Sequence, residues 1–249
     1  MGLALNLFSG YALCLLVLLP SALCGSYNPY TRSRAAFYGS PDGLGTPSGS
    51  CGYGDYGRTV NYGVVAAASK KLYRNGAGCA LAIRTLRQKW SECGGDRPRR
   101  GDRTDFILSP RGFAKLALPN KVSELKKYGV VDIEYQRVSC QYPGHNIAFM
   151  VQEQSRYPDY LAIVITYKGG QEHVIALELL QGRQWVPLKN VYGAVWDISN
   201  PPRTPLTLRF QLSGTMGWYI TRDVIPSYWR PGILTTQTFS CPRSTSTSS

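Results

Sequence analysis

The chain has 249 residues, 43% of them apolar, and carries 28 Lys and Arg against 15 Asp and Glu for a formal net charge of +13. That apolar content is ample for a core, so disorder is excluded as the main state. With 26 Gly and 16 Pro the chain reads as turn-rich and mostly β, and its two His and lack of any Cys-x-x-Cys exclude a His-rich metal site and a zinc ribbon.

Residues 1–24 read as a secretory signal peptide. Tyr11–Leu19 is an unbroken apolar run, shorter than the ~20 residues of a membrane-spanning helix, and Ala22 and Cys24 stand as at a cleavage site. No later stretch spans a bilayer, so the mature chain is expected outside the cell and off the membrane. Cleavage leaves Cys51, Cys79, Cys93, Cys140 and Cys241, an odd number for an oxidising compartment. Residues 26–50 are loop-like. Ala35–Tyr38 and Val130–Tyr135 look like strands, and Ser109–Leu116 like a short helix with Ser109 as N-cap and Pro110 in the first turn. A first domain over 34–141 is followed by a polar join over 142–157.

A second domain over 158–240 shows the clearest pattern. Leu206–Leu212 alternates apolar and polar over seven residues, as a half-buried strand does. Tyr160–Tyr167 and His173–Leu180 are short apolar runs, and the Lys168–Gln171 segment between them reads as a hairpin turn. Trp185–Leu188, Gly193–Ile198 and Trp218–Ile220 follow at similar spacing, which suggests a two-sheet β-sandwich. The Ser/Thr tail, 241–249, is expected to be disordered.

Chemical signals are sparse. Gly52-Tyr-Gly-Asp-Tyr-Gly57 has the spacing of a nucleotide loop, but a Gly/Pro/Ser loop precedes it where a strand is needed, so it reads as a tight turn beside Cys51. His145 and His173 have no partners at metal-ligand spacing, and no nucleophile elbow occurs. Residues 84–103 hold seven basic groups, yet a secreted chain makes nucleic acid an improbable partner; an acidic polysaccharide fits that compartment, and a solvated loop fits better still. Tyr192 and Trp196 lie four residues apart. On one strand they would share a face about 13 Å apart, a spacing suited to sugar rings stacked on aromatic faces, the alternative being that both are core. Trp185, Trp218 and Trp229 read as core.

Five stretches resemble the plant expansins, and among them the expansin-like B group: Phe37–Asp55, Gly101–Pro110, Val138–Gly144, Tyr160–Ile163 and Asp223–Pro231. The resemblance implies an all-β chain: a six-stranded double-psi β-barrel, incomplete if residues 80–100 supply no strand, then an immunoglobulin-like β-sandwich that binds cellulose. It implies non-hydrolytic loosening of wall polysaccharide by a secreted, monomeric cell-wall protein without cofactor or metal. Partners would be cellulose, hemicellulose or acidic wall polysaccharide, with no nucleic acid and no membrane. The positions matching the family's binding face are Tyr160, Tyr192 and Trp196, and Tyr38 and Asp105 would lie in the first-domain groove. Two acids of the family's groove are missing. Ile107 and Thr46 stand at those positions, so Asp105 is a weak catalytic candidate in a site type that needs two carboxyls. Cys51–Cys79 is the pairing the family implies, and Cys93 would replace the usual partner of Cys140. Residues 80–100 depart from the family and show no β-run. A weak endoglucanase and a degenerate isoform without wall activity are the alternative readings.

Overall fold

The computed structural model describes residues 30–79, 82–87 and 104–236. The first domain runs through β1 (Thr31–Phe37), α1 (Gly54–Thr59), β2 (Ala66–Ala68), α2 (Lys70–Tyr73), β3 (Ala82–Arg87), β4 (Thr104–Leu108), α3 (Pro110–Ala114), α4 (Val122–Tyr128) and β5 (Val130–Val138). Its five described strands lie in the order β2-β4-β1-β5-β3 as a curled half-barrel, β1 and β4 parallel and the other described pairs antiparallel. Ala35, Phe106, Leu108, Ile133 and Tyr135 face inward and are covered by Phe113 of α3, Leu116 just after it and Leu125 of α4. The predicted cap is in place: the Gly112 amide donates to Ser109 Oγ at 3.0 Å, and that hydroxyl donates to Gly63 O at 2.6 Å. The expectation of no β-run after Cys79 is overturned by β3, which pairs antiparallel with β5 along six residues. Ile83 packs against the core while Arg84 is exposed; that short alternation is hidden by its basic composition.

The second domain runs through β6 (Ala148–Val151), β7 (Tyr160–Thr166), β8 (Val174–Gln181), β9 (Gln184–Pro187), β10 (Lys189–Tyr192), β11 (Val195–Ser199), β12 (Leu206–Leu212), β13 (Trp218–Ile225) and β14 (Leu234–Thr236). One sheet has the order β10-β11-β7-β6-β14, and the facing sheet β13-β12-β8-β9. Between them lie Phe149, Leu161 and Ile163 from the first sheet and Leu177, Leu179, Leu208 and Phe210 from the second, with Trp229 only 1% exposed. Leu206, Leu208, Phe210 and Leu212 all point inward. A slip of one residue would expose all four, at about 2 kcal/mol each, which pins the register of β12.

Two boundaries move. The polar join is shorter than its sequence suggests, because β6 within it pairs with β7 and β14. The Lys168–Gln171 turn is no hairpin: β7 and β8 belong to different sheets, and the segment arches from one to the other. The arch is held at Gly170, whose amide and carbonyl bond those of Cys140 at 3.1 and 2.9 Å. Among the described residues no helix is long and apolar enough to cross a membrane. The predicted signal peptide, Cys93 and the tail lie outside the described residues.

Candidate functional site

Strand alternation sorts the aromatic residues of the β10-β11-β7-β6-β14 sheet. Leu161, Ile163 and Ile165 of β7 enter the sandwich core, so Tyr160, Ala162 and Val164 face outward, joined there by Val195. The Tyr160 hydroxyl donates to Asp197 Oδ2 at 2.7 Å. Partial burial and that carboxylate push its pKa up to about 12, with the nearby Tyr192 phenol adding to the rise. The ring of Tyr160 is therefore tethered at its polar end. Tyr192 ends β10 and is 44% exposed, its ring resting against Gly52 of the first domain.

Trp196 does not share this face. The predicted four-residue spacing assumed one continuous strand, but Tyr192 pairs with Val195 across the tight turn at Gly193 and Ala194. Gly193 has φ +54°, a backbone conformation that favours glycine. Parity restarts after the turn. Trp196 points to the opposite side, 9% exposed, and belongs to the sandwich core with Phe149, Ile163 and Leu177. Two of the three predicted rings come together, and Asp197, which the sequence alone does not single out, takes the third place. Asp197 stands opposite Ala162 in the β11–β7 ladder, so it shares the outward face of Tyr160. Only the pairing of those two strands discloses that contact.

The remaining tryptophans divide. Trp229 is core, as expected. Trp185 and Trp218, also expected in the core, stand instead on the outer face of the other sheet. There the Arg209 guanidinium lies 4.5 and 4.3 Å from their ring centres and pairs with Glu178. A cation held between two indoles lets both rings stay half-buried outside the core.

In the first domain, Asp105 accepts a hydroxyl from Ser33 at 2.9 Å on one carboxylate oxygen and from Ser69 at 2.7 Å on the other. It ties β1 to the start of α2. The Tyr38 hydroxyl donates to Leu44 O at 3.4 Å, and burial, then Asp42, raises its pKa. Asp42 itself is drawn down to about 2, chiefly by the Ser40 hydroxyl and the Leu44 amide, with Arg58 adding to the effect. Ile107 is exposed, and Thr46 caps a turn through the Ser48 amide.

Cys51 and Cys79 form a disulfide as the resemblance implied. The segments they join dock on the second domain. The Ala194 amide donates to Cys51 O at 3.1 Å, and Tyr53 covers Ala162, Val164 and Val195. The turn that presents Tyr192 is thus fastened to the disulfide loop. Nearby, Tyr56 packs edge-on against Tyr167, and burial raises the Tyr56 pKa to about 12. Cys140 is buried close to Tyr142.

A half-barrel docked on a two-sheet sandwich, with phenol rings on the sandwich face beside the junction, defines a two-domain barrel-and-sandwich protein. Residues 147–226 match the family described as Expansin C-terminal domain. Expansin-like B1 of Arabidopsis thaliana is 40% identical over 228 residues, covering 87% of this chain and 90% of that protein. Expansin-like B1 of Oryza sativa subsp. japonica is 37% identical over 218 residues, covering 82% and 85%. The chain belongs to the expansin family. In fold it is similar to the apo expansin of Clavibacter michiganensis, with a TM-score of 0.63 at 20% identity over 84% of this chain and 96% of that one. A point mutant of that bacterial expansin, solved in complex with cellohexaose, gives 0.64 at 20% identity over 85% and 97%.

Proposed function

We propose that this protein is a secreted cell-wall protein that binds cellulose or hemicellulose and loosens polysaccharide contacts without hydrolysis. The observation that carries the reading is the pair Tyr160 and Tyr192 on one outward face, one ring tethered by Asp197 and the other open to solvent. Pyranose rings present C–H bonds that stack on such aromatic faces. The bacterial expansin of similar fold holds cellohexaose, which supports a glucan as the ligand class. Asp105 argues for a non-hydrolytic role. Both of its oxygens are engaged by serine hydroxyls, and glycoside hydrolysis calls for a second carboxyl across the bond.

Tyr192→Ala is expected to weaken retention on microcrystalline cellulose roughly fivefold, the worth of about 1 kcal/mol of stacking. Unchanged retention by the folded variant would remove the basis of the proposal. Incubation with cellulose or xylan is expected to release no reducing sugar. Release that Asp105→Asn abolishes would favour the endoglucanase reading instead.

A further inference from the structure

The junction encloses a cleft of about 300 Å³, at the small end of ligand pockets. Its first-domain wall is the Arg74–Ala77 segment, and its second-domain wall comes from the arch after β7 and the β10–β11 turn. Arg74, Lys168 and His173 line it, and none of its described lining residues is acidic. Arg137, behind the lining, stands close enough to act on His173; its Nη2 donates to Gln171 O at 3.4 Å, and its buried Nε has no hydrogen-bond partner among the described residues. Arg74 is exposed and enters no ion pair among the described residues. Arg74, Lys168 and His173 thus converge on one small space, the Lys168 ammonium donating to Gly169 O at 2.7 Å, with no carboxylate among the described lining residues. Like charges brought together in a partly desolvated cleft repel, and an anion relieves that repulsion.

We propose that this cleft binds the carboxylate of a uronic-acid unit in a wall polysaccharide. This inference rests on the polysaccharide-binding reading and adds a second, charge-selective subsite to it. A sugar acid is favoured over a free anion by position. Asn190, Gly193 and Ala194 line the cleft, and they belong to the β10–β11 hairpin that presents Tyr192. The same hairpin thus presents Tyr192 outward and borders the cleft, so the two subsites adjoin on one turn. Asn190 Nδ2 is already committed to the carbonyls of Gly193 and Val195 at 3.3 Å, which leaves its Oδ1 to accept a sugar hydroxyl. Trp196, lost to the exposed face, contributes to the cleft wall.

His173 gives the site a pH sign. Burial first, then Arg74, Lys168 and Arg137, hold its pKa below the ordinary value of 6.5. Glu172, its neighbour in the chain, is exposed and accepts from the Gln171 amide at 3.0 Å. A bound carboxylate opposes the three cations and favours the imidazolium. Affinity therefore rises as pH falls toward the His173 pKa, while a uronate with a pKa of about 3.5 stays ionised.

The test is calorimetric titration of the full mature chain with trigalacturonate. Binding is expected to tighten about threefold from pH 7 to pH 5 and to weaken about tenfold in Arg74→Asn, a loss of one charge-assisted contact. Asn suits the left-handed backbone at position 74, where φ is +47°. The fully methyl-esterified trimer is expected to bind at least tenfold more weakly than the acid. Equal binding of ester and acid, or an unchanged affinity in Arg74→Asn, would overturn the proposal. Tyr192→Ala separates the two readings: it is expected to lower cellulose retention and to leave trigalacturonate affinity within twofold.

Discussion

Gly76→Ala is expected to destabilise the protein by about 3 kcal/mol and to lower its thermal midpoint by roughly 10 °C. Two effects add. Gly76 has φ +101°, where an L side chain is strained. A Cβ there would lie 2.0 Å from Gly193 O and 2.9 Å from Gly193 Cα, backbone atoms that have no rotamer with which to yield. Gly193 is equally confined, since its own Cβ would stand 2.3 Å from Ser50 O. The two domains meet here backbone against backbone, and the only way to accommodate a methyl group is to part them. Parting them moves the turn that carries Tyr192, so cellulose retention is expected to fall with stability. Gly182→Ala is the control. Gly182 also has positive φ, +62°, but nothing lies within 4 Å of its would-be Cβ, so it carries only a backbone cost of about 1 kcal/mol. Equal melting shifts for the two variants would show that the domain contact contributes nothing.

How much of this is legible in the sequence follows from how local each cause is. The β12 alternation and the Ser109 cap depend on residues within one turn or one strand, and both stand in the structure as read. The arch after β7 is misread from sequence because Lys-Gly-Gly-Gln suits a hairpin and a sheet-to-sheet crossing equally well. The choice is made by long-range pairing, β7 with β11 and β8 with β12. Trp196 is misplaced for a related reason: a two-residue turn between β10 and β11 resets the parity on which the face assignment depends. Trp185 and Trp218 leave the core because their cover is Arg209 of β12, one of the two strands that lie between theirs. β6 is hidden by its brevity, four residues inside a segment rich in turn formers. The cleft at the junction is wholly non-local. Arg74, Lys168 and His173 come from two domains, and only docking brings them together.

Replacing both Cys51 and Cys79 with Ser is expected to cost the first domain about 3.5 kcal/mol, the chain entropy released by opening a loop of this length; the two residues are 28 apart in sequence. A second consequence lies at the junction. The bridge joins the segment bearing Tyr53 to the segment bearing Gly76, and both press on the second domain. Without it, Tyr53 no longer has a fixed partner segment, and the apolar patch of Ala162, Val164 and Val195 beneath it opens to water. Among the described residues, the sandwich core itself draws none from the first domain. Hydrogen exchange should therefore separate the two domains. Protection is expected to fall across β1 and β5 and to persist across β12, where four inward side chains keep their partners in the facing sheet. Should β12 lose protection together with β1, the sandwich would have to depend on the docked barrel for its own stability, and the division of the chain into two separately stable cores would be wrong.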